Sequence, residues 1–242
     1  MAKPTGYIVY EGKSLIDGAP IVAIAITGKS TNSKTGNMVQ TYIIRSDINP
    51  VEALKTGDDA SVCGDCKHRP INGGACYVNV GQGVNAVYKA YKKGNYPVAD
   101  NIESLGVNRM VRLGTYGDPY AVPVTVWEQL TSKASGRTGY THQWQKNDDQ
   151  SRKLSRITMA SVDSLAEQAI ALSKGLRYFR VMHASESKQA KEFTCPASEE
   201  GGKRVTCADC GACNGTTKST GANPVIIVHG AKKSRFIPIV NA

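Results

Sequence analysis

The sequence predicts an α/β chain: a partial or complete (β/α) barrel with an N-terminal β-hairpin region and two cysteine-rich metal loops. Three observations carry this expectation. Between residues 107 and 183, short β-forming runs alternate with helix-period segments, the pattern of parallel strands joined by right-handed crossovers. Residues 1–50 hold apolar runs separated by polar turns, which reads as antiparallel pairing. Seven cysteines fall into two groups, Cys63, Cys66 and Cys76 within residues 60–80, and Cys195, Cys207, Cys210 and Cys213 within residues 194–215. At 242 residues the chain (1–242) reads as a single domain, long enough to bury a substantial core.

In chain order, Tyr7 to Tyr10, Pro20 to Thr27 and Met38 to Arg45 are the expected N-terminal strands, followed by a short helix from Asp47 to Lys55 with Pro50 near its first turn. Val84, Val87, Tyr88 and Tyr91 recur at helical spacing, so Gly83 to Lys93 is an amphipathic helix stopped by Gly94, its tyrosines packed inward. Val107 to Leu113 reads as a strand ending in Gly-Thr-Tyr-Gly-Asp118-Pro. Pro123 opens a helix to about Ala134, and Thr138 to His142 is the next strand. After a polar excursion from Gln145 to Lys153, a strand from Ile157 to Ser161 leads into a helix capped by Ser161 or Asp163. That helix carries Leu165, Ala169 and Leu172 on one face and is stopped by Gly175 before a strand from Tyr178 to Met182. Pro224 to His229 reads as a buried strand, Arg235 to Val240 as one more, and Thr216 to Ala222 as a flexible loop.

In a barrel, the carboxyl ends of the strands form one functional rim. Asp118, Thr141, His142, Ser161, Asp163 and His183 fall there, and both cysteine loops are expected to reach it. Asp118 is the candidate catalytic residue; turn, cap and core roles are the plainer alternatives for all six.

The late run, CPASEEGGKRVTCADCGAC, is too short and too poor in apolar residues to fold by burial, so metal ligation is the expected source of its order. The early group is a CxxC followed, after nine residues, by Cys76. Three ligands would leave one metal position open, whereas His68 as a fourth would close a structural zinc site. The basic neighbours Lys67 and Arg69 favour the open reading, because they would draw an anionic ligand. Four thiolates suit a cubane cluster or a zinc ion; zinc ribbons show two well-separated CxxC pairs, which this run does not.

No signal peptide and no membrane-length apolar run are visible, so a cytoplasmic protein with reduced thiols is expected. An odd number of cysteines cannot all pair within one chain. The net charge of +10 favours an anionic partner, with nucleic acid the commonest, against the alternative of a plainly solvated surface. Candidate binding faces are Lys89, Lys92 and Lys93 with Tyr88 and Tyr91, and the tail cations Lys232, Lys233 and Arg235. Signatures of P-loop NTPases, serine hydrolases and zincins are absent from the sequence.

The CxxC followed by ACY, the strand ending in Gly-Asp after an Arg, and the late CP…CxxCxxC resemble a cysteine-rich bacteriophage protein family of uncharacterised activity. More distantly, the layout is similar to that of AdoMet radical (β/α) barrel enzymes. These resemblances imply that Cys63, Cys66 and Cys76 ligate a [4Fe–4S] cluster with one open iron, that the late four hold a second cluster, that S-adenosylmethionine is a possible cofactor, and that a phage-encoded chain would work in the host cytoplasm. Two functions follow as expectations. One is an iron–sulfur (or Zn2+) enzyme of AdoMet-radical-like or redox type acting on a nucleotide or nucleic acid. The alternative is a non-catalytic, metal-stabilised nucleic-acid-binding protein.

Overall fold

The computed structural model describes residues 3–30, 32–216 and 221–236. Three strands, β1 (Gly6–Lys13), β2 (Pro20–Ile26) and β3 (Val39–Arg45), open the chain. They pair antiparallel in sequence order, so the hairpin region predicted from the sequence is real. It does not stand apart, because β3 also pairs in parallel with β4 (Met110–Tyr116). Between them lie α1 (Pro50–Thr56), α2 (Ala60–Cys63), α3 (Asn85–Lys92) and α4 (Ile102–Gly106). The remainder is α5 (Val124–Thr131), β5 (Gly136–Thr141), α6 (Asp149–Leu154), β6 (Met159–Val162), α7 (Leu165–Ser173), β7 (Tyr178–Met182), β8 (Glu192–Thr194), α8 (Cys207–Cys210) and β9 (Asn223–Ile227).

All nine strands form one sheet in the order β1-β2-β3-β4-β5-β6-β7-β9-β8. It is mostly parallel and not closed. From β3 to β7 each new strand is added on the same side of the last; with right-handed crossovers this places the connecting helices on one face. The packing agrees. Helix α5 buries Val124, Trp127 and Leu130 in the cluster that contains Val111 and Leu113 of β4, and α7 presents Ala171 to Ala160 and Val162 of β6. Side chains alternate along a strand, so Arg112, between Val111 and Leu113, belongs to the opposite face, where it borders a cavity.

Several elements sit away from their sequence-based positions, each for a local reason. The strand expected at Val107 to Leu113 starts at Met110, because α4, capped by Asn101 through Ser104, runs to Gly106 and a turn through Asn108, at φ 54°, takes up the residues between. Part of the polar excursion at Gln145 to Lys153 is α6, capped by Asp148 on Ser151. Helix α7 is capped by Ser164, whose hydroxyl accepts from the Glu167 N–H, rather than by Ser161 or Asp163. Its buried residues are Gln168 and Ala171, while Leu172 is 52% exposed. Gln168 wins burial because it donates to the Tyr178 hydroxyl and reaches Glu192 at 3.1 Å. That carboxylate also pairs with Arg180 at 2.8 Å, both side chains essentially without exposure, and thereby fastens the short strand β8. The strand proposed for Arg235 to Val240 falls mostly outside the described residues, as does most of the Thr216 to Ala222 loop; Lys233–Arg235 is a single 3-10 turn. Among the described residues no helix is long and apolar enough to cross a membrane.

Candidate metal-centre cavity

A cavity of about 500 Å³ lies against the face of the sheet opposite α5 and α7. Six of the seven thiols border it, those of Cys66, Cys76, Cys195, Cys207, Cys210 and Cys213. All seven are free thiols.

The early group sits at the carboxyl ends of the strands. Its loop is tied down by an N-terminal helical turn, where the Cys63 and Gly64 amides donate to Asp59 and Ala60, and by the Cys76 N–H donating to the His68 carbonyl at 2.9 Å. The near approach at Gly74 excludes a side chain, since a Cβ there would lie 2.4 Å from the His68 carbonyl carbon. Burial first, then the neighbouring Cys66, Asp59 and Cys76, pushes the Cys63 thiol well up. Burial does the same for Cys76, which also feels Cys66. The three thiols thus form one electrostatically coupled set.

Beside them, His142 Nε2 lies 3.6 Å from Cys66 Sγ. His68 Nε2 meets Asp163 Oδ1 at 2.8 Å and His142 Nε2 lies 3.7 Å from Oδ2 of the same carboxylate. Among the described residues, His68, His142 and Asp163 are the group of His, Cys, Asp or Glu side chains whose ligand atoms all fall within 4.8 Å of one another. Burial opposes the charged form of His142, yet Cys66, Asp163 and Asp118 outweigh it and hold its pKa at about 10. Burial would raise Asp163, but the hydrogen bond from His68 and the charge of His142 leave it below its ordinary value. His68 therefore stands with Asp163 rather than among the thiols, and Phe236 stacks on its ring at 5.6 Å.

Asp118 is buried, and both its oxygens are engaged by backbone: Oδ1 accepts from the Tyr120 N–H at 2.9 Å and Oδ2 from the His142 N–H at 2.7 Å. Its own N–H donates to the Val62 carbonyl at 2.6 Å. It does not border the cavity; it locks the β4 turn to the residues that carry Cys63 and His142. The basic neighbours of the early group are likewise engaged, Lys67 with Glu167 and Arg69 with Asp59 at 2.7 Å, so neither is a free anion anchor. Of the other rim residues, Ser161 borders the cavity, Thr141 accepts from the Gln143 N–H, and His183 faces Ser185 in its own loop.

The late group does not join the early one at the same rim, as the sequence suggested. Cys207 N–H donates to the Lys34 carbonyl in the loop before β3, Gly211 lies against Met110 at the start of β4, and Gly215 lies against Arg156 just before β6. Cys213 accepts at its carbonyl from the Gly139 N–H of β5. Lys34, Met110 and Arg156 lie at amino ends of strands, Gly139 lies midway along β5, and Cys195 lies level with the middle of β9. Topology is the reason: β8 and β9 are parallel neighbours, so the chain leaving β8 at Cys195 must return towards the amino end of β8 to begin β9, and the remaining cysteines lie on that return. Helix α8, closed by a Thr206–Asp209 capping box and Gly211 at φ 59°, positions Cys207 and Cys210. Burial pushes Cys213 up to about 12, with the Tyr140 hydroxyl pulling down and Cys195, Cys207 and Cys210 adding to the rise. Burial also raises Cys207, against the pull of Arg112 and Lys34.

Among the cavity residues that the sequence did not offer as site residues are Arg112 and Thr138. The signal that could have found Arg112 is a charged residue alternating with Val111 and Leu113 in a strand. Of the basic faces, Lys89, Lys92 and Lys93 are exposed, and Lys92 stands over the Tyr91 ring at 5.8 Å. In the tail, Lys232 turns inward, where it bears on Cys76, while Lys233 and Arg235 are exposed. Comparisons with protein-family models, curated proteins and solved structures give no match to this chain, so its functional reading rests on the residues themselves.

Proposed function

We propose that this chain is an iron–sulfur enzyme, a partial (β/α) barrel in which Cys63, Cys66 and Cys76 hold one cluster and Cys195, Cys207, Cys210 and Cys213 hold another, with the substrate between them. The observation that carries the reading is the placement of six thiols around one cavity. The donor chemistry fits. A tetrahedral zinc ion at about 2.3 Å from each sulfur brings its thiolates to about 3.8 Å from one another. Among the described residues no three thiols come within 4.8 Å, a spacing better suited to thiolates that each bind a different iron. Three thiols in the early set leave one position for a cavity ligand, for which S-adenosylmethionine is the proposed candidate. Bound clusters supply one-electron chemistry.

The chain's own residues do the rest in this reading. His142 donates to the Cys66 thiolate and Asp163 orients His142 and His68, the arrangement by which outer groups tune a ligand. A nucleotide or nucleic acid is the proposed substrate class, supported by the net charge of +10 and the exposed lysines of α3. Anaerobic purification followed by iron and sulfide analysis and a visible spectrum tests the proposal. A brown protein that bleaches with dithionite is expected, and Cys210→Ser should lose the late centre alone. A colourless protein with stoichiometric zinc would overturn the cluster reading in favour of a metal-stabilised nucleic-acid-binding protein.

A second reading has its own observation. The convergence of His68, His142 and Asp163 suits a single transition-metal ion at the top of the cavity. In that case His142→Ala removes one equivalent of metal while Cys76→Ser does not; the cluster reading demands the reverse.

A further inference from the structure

We propose that Arg112 and Thr138 form an anchor inside the cavity for an anionic group, a carboxylate or a phosphate, of the molecule bound there. This deepens the reading of the cavity as a substrate site and depends on that reading, but not on which metal its thiols hold. The two residues are direct neighbours across β4 and β5, and both border the cavity. Arg112 is 8% exposed and Thr138 2%. Among the described residues no carboxylate pairs with the guanidinium and no hydrogen bond satisfies it. Its one close partner is the Tyr140 ring, with the guanidinium carbon 5.6 Å from the centroid. The Thr138 hydroxyl is buried and also without a hydrogen-bond partner.

An unpaired buried charge and an unsatisfied buried hydroxyl are both costly, and here they stand side by side on residues that border empty volume. A planar fork of N–H donors backed by an aromatic ring is preorganised for the two oxygens of a carboxylate or phosphate, and a hydroxyl beside it supplies one more donor. The groups able to become anions around Arg112 are the phenols of Tyr77 and Tyr140 and, after them, the thiols of Cys207 and Cys213. Arg112 does act on Cys207, but those thiols have further cations, Lys34 beside Cys207 and Arg177 beside Cys213. Serving the thiolates would also leave the Thr138 hydroxyl unexplained. An oxyanion between the two side chains accounts for both.

The test is calorimetric titration of the full-length protein with inorganic phosphate and, separately, with acetate, iron and sulfide being measured on the same preparations. The wild type should bind one of the two, and which one identifies the oxyanion. Arg112→Gln should weaken that binding about 10- to 100-fold, the worth of a hydrogen bond to a charged group. Thr138→Val, a near-isosteric change that keeps the fold, should weaken it about fivefold, the worth of a neutral one. Circular dichroism confirms that each variant is folded. Binding of neither anion by the wild type, or equal binding by Arg112→Gln, overturns the proposal. So does an Arg112→Gln variant that changes the visible spectrum or reduction potential of the late centre while binding the anion as before, since the guanidinium would then serve the thiolates. Iron-free protein that binds the anion through Arg112 supports the anchor while removing the cluster reading, and iron-loaded protein that binds neither anion does the opposite.

Discussion

Asp118 illustrates how a rim carboxylate can matter without touching a bound molecule. With one oxygen on the Tyr120 amide and the other on the His142 amide, it holds the segment that aims His142 at Cys66. Asp118→Asn replaces one acceptor by a donor facing an N–H, so a loss of about 1–3 kcal/mol is expected in urea unfolding of the metal-free protein. His142 carries a second prediction. Its folded pKa, about 10, lies above the ordinary 6.5, so its charge contributes stability that is complete below about 6.5 and lost as pH rises through about 10. The metal-free wild type should therefore lose more stability between pH 7 and pH 10 than His142→Gln does. Equal losses would remove the Cys66 and Asp163 contacts as the cause.

At the scale of elements, the early loop depends on backbone proximity more than on side-chain packing. Gly74 lies so close to the His68 backbone that an alanine must push the loop apart, and the Cys76 N–H bond to the His68 carbonyl goes with it. If the proposed clusters are present, Gly74→Ala should thus empty the early centre and leave the late one, roughly halving the iron per chain while the late loop keeps its signal. The late loop is organised otherwise. It hangs from strand ends and turns belonging to other elements, Lys34 and Thr35 before β3 and Gly139 in β5, with a four-residue helix between. Its cysteines converge because the sheet supplies fixed hydrogen-bonding partners along the return path from β8 to β9.

For the whole molecule, the proposed metal centres at the two ends of the cavity would couple metal binding to protonation and folding. Burial raises the thiols of Cys63, Cys76, Cys207 and Cys213, so without metal they hold their protons at neutral pH. Loading either centre must release protons, and affinity should rise steeply with pH. Calorimetric titration of anaerobic protein with Fe2+ or Zn2+ in buffers of different ionisation enthalpy should return close to one proton per ligating thiol. A proton-neutral reaction would show that these thiols are not the ligands. The same linkage predicts a higher melting temperature for the loaded protein, since metal is bound by the folded chain.

What the sequence by itself determined was the local physics. Alternation and turn residues announced the antiparallel start and the parallel run from β4 to β7, and the spacing of Cys207, Cys210 and Cys213 announced a set of thiols that fold together. Tertiary structure decided which groups share a place. Whether Leu172 or Gln168 is buried on α7 depends on Tyr178 and Glu192, outside that helix. Whether the late thiols meet the early rim depends on the parallel pairing of β8 with β9, which obliges the chain to travel back along the sheet. And Arg112 became a candidate anchor when β5 set Thr138 beside it on the cavity face of the sheet. Spacing along a chain fixes short-range geometry; long-range neighbours follow from strand order, which is settled by the packing of the whole.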